Sequence, residues 1–501
     1  MEPQSPPDDR PERRGSGKSL HRTMAAGTLW SLIARFGHSG VMVIGTVFLA
    51  RLLTPADFGL VAIVMTSAIL MLVISEGLVD FPLARIKHAP DGVVAGLFAA
   101  NLALVALISL ALALAAPWLE SRFALDGLAS AFRVVTSIFF LQVVLVTGRA
   151  LMRRRHEFGR IASITFMSSI VYVVSAVAMA LAGLGFWSLL GGQIASNLFM
   201  AAAFARASRL RPAKVRGIAL RAHLGIGGSG MASRIFAWFW TSIDTIASGL
   251  TLSAAATGLY SRAYNLSVQV KEPFAAIDHP MRQALASIRD SEGDVRTSAK
   301  RMLMLIALAT SLTAAGVIAL RDEIVLLLLG QQWREAAVPF AILAAALPAR
   351  ISLNFIDNTV IVAGRMSSMV WRHALLSLVI GALVWFAASY GITWIAALVA
   401  GSLYLALLVP VDQAERAVPS GWDIVRMLVP GLATGAGVVA ISEIILKPAL
   451  PGLLAYPAAV IALLLLVAAV WVLAYPTSML FGTIAEQRER LLYRKLPFFR
   501  S

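Results

Sequence analysis

The chain of 501 residues has no cysteine, and only 14% of its residues are charged. Without cysteine it forms no disulfide, holds no metal through thiolates and uses no cysteine nucleophile. The low charge, together with 58% apolar residues and a mean hydropathy of +0.78, excludes an ordinary soluble domain. The sequence therefore predicts a protein that crosses a membrane several times.

Acidic residues are scarce, with 27 Asp and Glu against 43 Lys and Arg, and the net charge is +16. The basic residues form short clusters between apolar runs, without the interleaved aromatic residues typical of nucleic-acid binding. We therefore predict no nucleic-acid partner. The seven histidines form no zinc-ligand spacing and no catalytic triad with other residues, so we predict no metal, no other cofactor and no catalytic residue.

Apolar runs bounded by charges, glycine or proline recur along the chain, and a bilayer crossing takes about 20 helical residues. If the N-terminal tail starts in the cytoplasm and the runs alternate in direction, nearly all basic residues lie in the even-numbered loops and the two tails. The positive-inside rule then predicts that both termini are cytoplasmic. The fourteen predicted spans are 24–49, 57–80, 92–116, 128–148, 161–182, 185–205, 224–248, 257–281, 302–320, 336–360, 373–390, 392–411, 427–446 and 453–475.

The sequence also repeats with a period of about 200 residues. Ala50–Thr54 running into Phe58–Leu60 is echoed by Ala247–Thr251 running into Thr257–Leu259. We predict two six-helix bundles of the same orientation, related by an axis along the membrane normal, with a substrate path between them. The alternative is a chance alignment of runs rich in Leu, Ala and Val. The predicted divisions are a tail 1–23, a bundle 24–205, a basic linker 206–223, a bundle 224–411, an extra helix pair 427–476 and a basic tail 477–501.

Ionisable side chains at membrane depth are the candidates for function, because each costs several kcal/mol unless it faces water or a partner. Such cations occur on the leading spans of both halves, which favours an anion-binding cavity between them. Arginine suits a phosphate ligand because its planar fork binds in a bidentate manner. The candidate substrate-binding cations are Arg35, Arg234, Lys271 and Arg350.

Three further residues, His38, Asp244 and Asp278, are candidates for coupling transport to a proton or sodium gradient. Histidine titrates near neutral pH, although a lone histidine among small residues is more often a packed group. The charges also allow a structural interpretation, in which Arg234 pairs with Asp244 or Lys271 pairs with Asp278. The sequence leaves both interpretations open.

Several segments resemble a known family. They are Ala50–Gly59 (ARLLTPADFG), the Glu76–Gly77 pair, Ile243–Asp244, Gly258–Tyr264 (GLYSRAY) and Leu326–Trp333 (LLLLGQQW). Over residues 24–410 the chain resembles the polysaccharide-transport flippases, the Wzx-type and succinoglycan-exporter-like members of the multidrug/oligosaccharidyl-lipid/polysaccharide exporter superfamily. The resemblance implies an all-α membrane protein of two six-helix bundles in a V, as in the multidrug exporters, plus two C-terminal helices.

The resemblance also implies a function. The expected passenger is an undecaprenyl-diphosphate-linked oligosaccharide of the exopolysaccharide or O-antigen type, moved across the bacterial inner membrane by alternating access. Expected partners are this lipid-linked oligosaccharide, membrane lipids, a polysaccharide polymerase and a chain-length regulator. The cavity cations above are the residues that we expect to meet the diphosphate or acidic sugars.

Three other functions compete with this one. A multidrug exporter of the same fold moves organic cations and should have an acidic cavity, whereas the leading span here carries Arg35 and His38. A flippase for the lipid-linked peptidoglycan precursor differs only in its passenger. A membrane polymerase, ligase or acyltransferase would need a catalytic periplasmic loop, and the predicted periplasmic loops are too short for one.

Overall fold

The computed structural model describes residues 34, 36–85, 91–209, 220–275, 281, 283–285, 287, 295–362, 366–409, 421–450 and 454–474. Within these ranges every regular element is a helix. The helices of the first half are α1 (Phe36–Leu52), α2 (Pro55–Arg85), α3 (Asp91–Phe123), α4 (Leu128–Arg154), α5 (Phe158–Leu181) and α6 (Phe186–Ser208).

The second half contains more short helices. They are α7 (Leu220–Thr251), α8 (Ala254–Ala275), α9 (Val295–Ala319), α10 (Arg321–Leu328), α11 (Ala337–Ala345), α12 (Leu347–Val362), α13 (Met366–Ala387) and α14 (Ile392–Leu408). A 3₁₀ helix, Gln331–Ala336, lies between α10 and α11. The C-terminal pair is α15 (Gly421–Ile441), extended by a π-helical turn at Ser442–Leu446, and α16 (Ala455–Ala474).

A helix overlaps each of the fourteen predicted spans. Among the described residues, eight helices are long and apolar enough to cross a membrane, and a bent pair, Gln331–Ala345 with Leu347–Thr359, raises this to nine. The prediction of an all-α membrane protein is confirmed, while the count of fourteen crossings stays a prediction. Helix α8 is not among the eight, because its charged and polar side chains lower its hydropathy. It is packed between α2 and α11.

The two halves meet along α2. This helix packs against α4 of its own half and against α7 and α8 of the other half. The main hydrophobic core lies where these helices converge, and Tyr260 and Trp333 are among its fully buried side chains. The C-terminal pair packs outside the second half, with α15 along α9. The divisions predicted between tails, bundles and linker stay predictions.

The predicted repeat has a direct structural counterpart where α2 crosses α8. A Cβ atom at Gly59 would overlap the carbonyl oxygen of Ala254, and a Cβ atom at Gly258 would overlap the carbonyl oxygen of Pro55. Gly59 and Gly258 occupy equivalent positions of the repeat, so each half presents the same surface to the other at this point. Such an isologous contact is what a pseudo-two-fold axis produces.

Candidate functional site

The interface between the halves is closed near one end by the turn that joins α1 to α2. The Trp333 indole N–H donates to the Ala50 carbonyl oxygen at 2.8 Å, and the Gln332 amide donates to the carbonyl oxygens of Ala50 and, at 3.1 Å, Leu53. The Ala50 carbonyl lies in the last turn of α1 and the Leu53 carbonyl just after it, where backbone carbonyl groups have no hydrogen-bond partner within the helix. We call these contacts the turn clasp. They attach the first half to the 3₁₀ helix of the second.

A second set of contacts joins the halves toward the other end of α2. The two carboxylate oxygens of Glu76 bind two arginines, Arg149 of α4 and Arg234 of α7. Glu76 lies 17 residues beyond Gly59, which is roughly 25 Å along the helix and close to the thickness of a bilayer core. Glu76 therefore links the halves toward the opposite end of α2 from the turn clasp.

This arrangement identifies a salt-bridge partner of Arg234. Its salt bridge is with Glu76 and not with Asp244, the partner considered from the sequence. The side chain is nevertheless 46% exposed, so it remains accessible to a ligand. Whether Arg234 contacts a substrate stays a prediction.

Two arginines of the second half project among aromatic rings, and the first of these rings, Phe58, also contacts Trp333 of the turn clasp. The Arg262 guanidinium of α8 lies 4.4 Å from the ring centre of Phe58 on α2, and that of Arg350 on α12 lies 5.3 Å from the ring centre of Tyr264. Both side chains are half-buried. Neither forms a salt bridge with any residue in the described ranges, and the Nε atom of Arg262 is buried there without a hydrogen-bond partner.

The cation–π contacts alone do not compensate for the cost of removing these two guanidinium groups from water. A cation–π contact contributes about 0.5–2 kcal/mol. Holding an ion away from water costs several kcal/mol. The balance is favourable only where water or an anion reaches the half-buried guanidinium groups, so these two arginines are candidates for contact with an anionic ligand.

Asp244 of α7 belongs to the same region. It is 1% exposed, and its carboxylate accepts a hydrogen bond of 2.6 Å from the Tyr260 hydroxyl of α8. Arg350 acts on it electrostatically without forming a salt bridge. Tyr264, which carries the Arg350 guanidinium on its ring, also interacts with Asp244. The four residues form a polar cluster that joins α7, α8 and α12.

Of the remaining predicted site residues, two lie within the described part of the chain and two lie outside it. His38 is half-buried on α1, interacts with Glu272 of α8, and has a buried Nδ1 atom without a partner among the described residues. Lys271 is half-buried on α8 and interacts with neighbouring groups. Arg35 and Asp278 lie outside the described residues. In the described ranges, His, Asp and Glu side chains form no group of three or more that could hold a metal ion.

Sequence reasoning missed Arg262 as a site candidate. The available signal was its spacing of four residues from Gly258, which puts both on one face of α8. That face contacts α2, whereas Tyr264 points elsewhere. Asp357, which lies on α12 as Arg350 does, binds Arg372 and His373 of α13. The salt bridge between Asp357 and the buried Arg372 attaches α12 to α13.

The fold and the interface together define an all-α membrane protein built from two equivalent helical halves. Solved structures share this fold. The lipid II flippase MurJ in an inward closed conformation superposes with a TM-score of 0.72 at 11% identity, covering 91% of this chain and 100% of that one. An inward-facing multidrug resistance MATE transporter of the MOP superfamily gives 0.56 at 12% identity, covering 80% and 95%. A point mutant of the Vibrio cholerae MATE transporter VcmN gives 0.54 at 13% identity, covering 83% and 98%.

Sequence comparison adds the family. The model described as "Polysaccharide biosynthesis protein" matches residues 48–338, which is more than half of the chain. The protein belongs to this family of polysaccharide biosynthesis proteins, as the segments from Ala50 to Trp333 indicated. A relative, the succinoglycan biosynthesis transport protein ExoT of Rhizobium meliloti (strain 1021), is 28% identical over 337 residues, or 64% of this chain. The match spans 66% of the length of that relative.

Proposed function

We propose that this protein is a flippase that moves an undecaprenyl-diphosphate-linked oligosaccharide from the cytoplasmic to the periplasmic leaflet of the bacterial inner membrane. The proposal makes it a transporter and not an enzyme, with both termini in the cytoplasm. The observation that carries it is the pair Arg262 and Arg350, two half-buried cations that form no salt bridge within the described part of the chain. A diphosphate would supply the missing negative charge.

The two sets of inter-half contacts suggest how the substrate is admitted and released. Glu76 neutralises Arg234 in the absence of substrate, and an incoming diphosphate competes with the Glu76 carboxylate for that guanidinium. Loss of the Glu76 bridge frees the cytoplasmic end of the interface. Transfer of the diphosphate toward Arg350 and Arg262, nearer the turn clasp, precedes opening of the periplasmic end. Only one set of contacts is broken at a time, as alternating access requires.

Ion coupling is assigned in this proposal to Asp244, with His38 and Asp278 as further candidates. When a diphosphate draws Arg350 toward itself, Asp244 loses its cationic neighbour, and a proton or Na⁺ compensates the carboxylate. In vesicles with an imposed proton or sodium gradient, Asp244→Asn should abolish the stimulation of transport by the gradient. Asp126→Asn, an exposed loop residue, should leave it intact.

The test of the flippase itself uses a producing strain from which the gene has been deleted. Complementation by the normal chain should restore cell-surface polysaccharide and prevent accumulation of the lipid-linked oligosaccharide. The Arg262→Gln, Arg350→Gln double variant should fail while reaching the membrane at normal levels. Arg133→Gln, which removes an exposed arginine of α4, should complement fully. The corresponding double lysine variant separates the need for charge from the need for a planar fork.

Other outcomes would redirect the proposal. Full export by the double glutamine variant would remove both arginines from the site. Loss of viability instead of loss of polysaccharide on deletion would indicate the peptidoglycan precursor as passenger, and drug sensitivity alone would indicate a multidrug exporter. Co-purification with a polysaccharide polymerase or a chain-length regulator would test the expected partners.

A further inference from the structure

A separate pocket of about 480 Å³ opens where the C-terminal helix pair meets α10 and the 3₁₀ helix. Its lining includes Asp322, Glu323, Arg334, Lys447 and Tyr456, so it contains carboxylates and cations together. It lies outside the interface between the halves. It also lies beside the ends of α9 and α15 and the start of α16, where membrane-spanning helices reach the headgroup region.

Some of these charged residues form salt bridges that attach the C-terminal helix pair to α10. Arg321 binds Glu443 at 2.6 Å, and the Lys447 ammonium lies 3.4 Å from Asp322 and 3.5 Å from Glu443. Glu443 belongs to the π-helical turn Ser442–Leu446. Turns of this kind are rare and are frequently found at functional sites.

Two charged residues of opposite sign that line the pocket, Glu323 and Arg334, take no part in these salt bridges. One carboxylate oxygen of Glu323, Oε2, is buried and lacks a hydrogen-bond partner among the described residues. Arg334 is exposed and forms no salt bridge within the same ranges. Both line the pocket. The pocket therefore offers an unpaired acceptor for a cation and an unpaired donor for an anion.

The surroundings of the pocket are apolar. Leu326 and Leu450 line it, and the neighbouring side chains of Leu454 and Ile444 are 85% and 73% exposed. Exposed aliphatic side chains of this kind are expected where a protein contacts lipid chains. A ligand here would have a headgroup with both charges and an apolar remainder.

We propose that this pocket binds the headgroup of a zwitterionic phospholipid that carries a primary ammonium group. The ammonium donates to Glu323, the phosphate accepts from Arg334, and the acyl chains lie along Leu450 and Leu454. A quaternary ammonium has no N–H to donate to Glu323. The site is independent of the transported substrate, so its failure would leave the proposed function untouched.

The experiment measures lipid binding to the purified, delipidated full chain by native mass spectrometry. Dioleoyl phosphatidylethanolamine, phosphatidylcholine and phosphatidylglycerol are compared, because they share acyl chains and differ in headgroup. We expect phosphatidylethanolamine to bind about tenfold more tightly than phosphatidylcholine, the effect of one charge-assisted hydrogen bond. Glu323→Gln should reduce this preference to within about twofold. Arg334→Gln should weaken both zwitterionic lipids equally.

Glu335→Gln, a neighbouring exposed carboxylate outside the pocket lining, is the matched control and should keep the full preference. Equal binding of phosphatidylethanolamine and phosphatidylcholine to the normal chain would overturn the proposal, as would a preference that survives Glu323→Gln. Tightest binding of phosphatidylglycerol would mean that the cations alone define an anionic-lipid site. If Glu323→Gln fails to fold, the lipid preference of the normal chain and the result for Arg334→Gln decide whether the proposal stands.

Discussion

The carboxylate of Glu76 binds Arg234 across the boundary between the two halves, joining α2 to α7. The same carboxylate also binds Arg149 within its own half. One acidic side chain thus forms salt bridges with two cations that belong to different halves. Removing its charge leaves both arginines without that partner, and repulsion between them then favours separation of the halves.

We predict that Glu76→Gln opens the Glu76 end of the interface. Since the chain has no cysteine, spin labels can be introduced at Arg155→Cys on the first half and Trp371→Cys on the second, both exposed. Double electron–electron resonance should show a longer and broader distance distribution in the Glu76→Gln background. Glu157→Gln removes an exposed pair with Arg160 near one helix start and should leave the distribution unchanged. An unchanged distribution in both backgrounds would contradict the role assigned to Glu76.

The turn clasp yields a prediction for the opposite end. Gln332→Ala and Trp333→Phe each remove N–H groups that bind the Ala50 carbonyl oxygen. A cysteine at Leu53, which is 3% exposed, should react about fivefold faster with a membrane-impermeant maleimide in Trp333→Phe, corresponding to about 1 kcal/mol for one lost hydrogen bond. The increase should be larger in Gln332→Ala, which loses two hydrogen bonds.

Gln331→Ala serves as the control for the turn clasp, because this exposed glutamine precedes Gln332 and makes no contact with Ala50 or Leu53. Labelling rates that are the same in Gln332→Ala, Trp333→Phe and Gln331→Ala would show that the turn clasp does not hold this end closed.

The crossing of α2 and α8 leaves no room for a side chain. In Gly258→Ala the new methyl group meets the backbone of Pro55, which cannot rotate away, so we expect a loss of about 1–3 kcal/mol of stability and a lower thermal unfolding midpoint. Gly437→Ala on α15 is the matched control, because its Cβ would meet nothing within 4 Å. There alanine should be neutral or stabilising by about 0.5–1 kcal/mol. Equal midpoints for the two variants would contradict the close crossing.

The Asp357–Arg372 pair provides a stability prediction away from the interface. The Arg372 side chain is only 5% exposed, so Asp357→Asn would strand a buried cation at a cost of about 3–5 kcal/mol. Thermal unfolding of purified protein measures the loss. Adding Arg372→Gln should recover part of it, since the second change removes the uncompensated charge. Asp91→Asn, in the exposed first turn of α3, should cost less than about 1 kcal/mol.

The sequence predicted the helical class, the family and the repeat, because hydropathy and the segments around Gly59 and Gly258 are local signals. It could not predict that these two glycines meet each other, since that depends on how the halves dock. The partner of Arg234 was hidden for a similar reason: Glu76 is 158 residues away, and several acids were available. Arg262 was missed because it lies on the face of α8 that contacts α2, and the sequence does not show which face of α8 meets the other half.

The glycine crossing has a mechanical consequence. A point at which two backbones touch would act as a fulcrum when the Glu76 end of the interface opens. With a lever arm of roughly 25 Å between Gly59 and Glu76, a tilt of about 10° displaces the far end of α2 by roughly 4 Å. That is enough to part an arginine from a carboxylate while the pivot itself barely shifts, so small rotations there are amplified at the distant face.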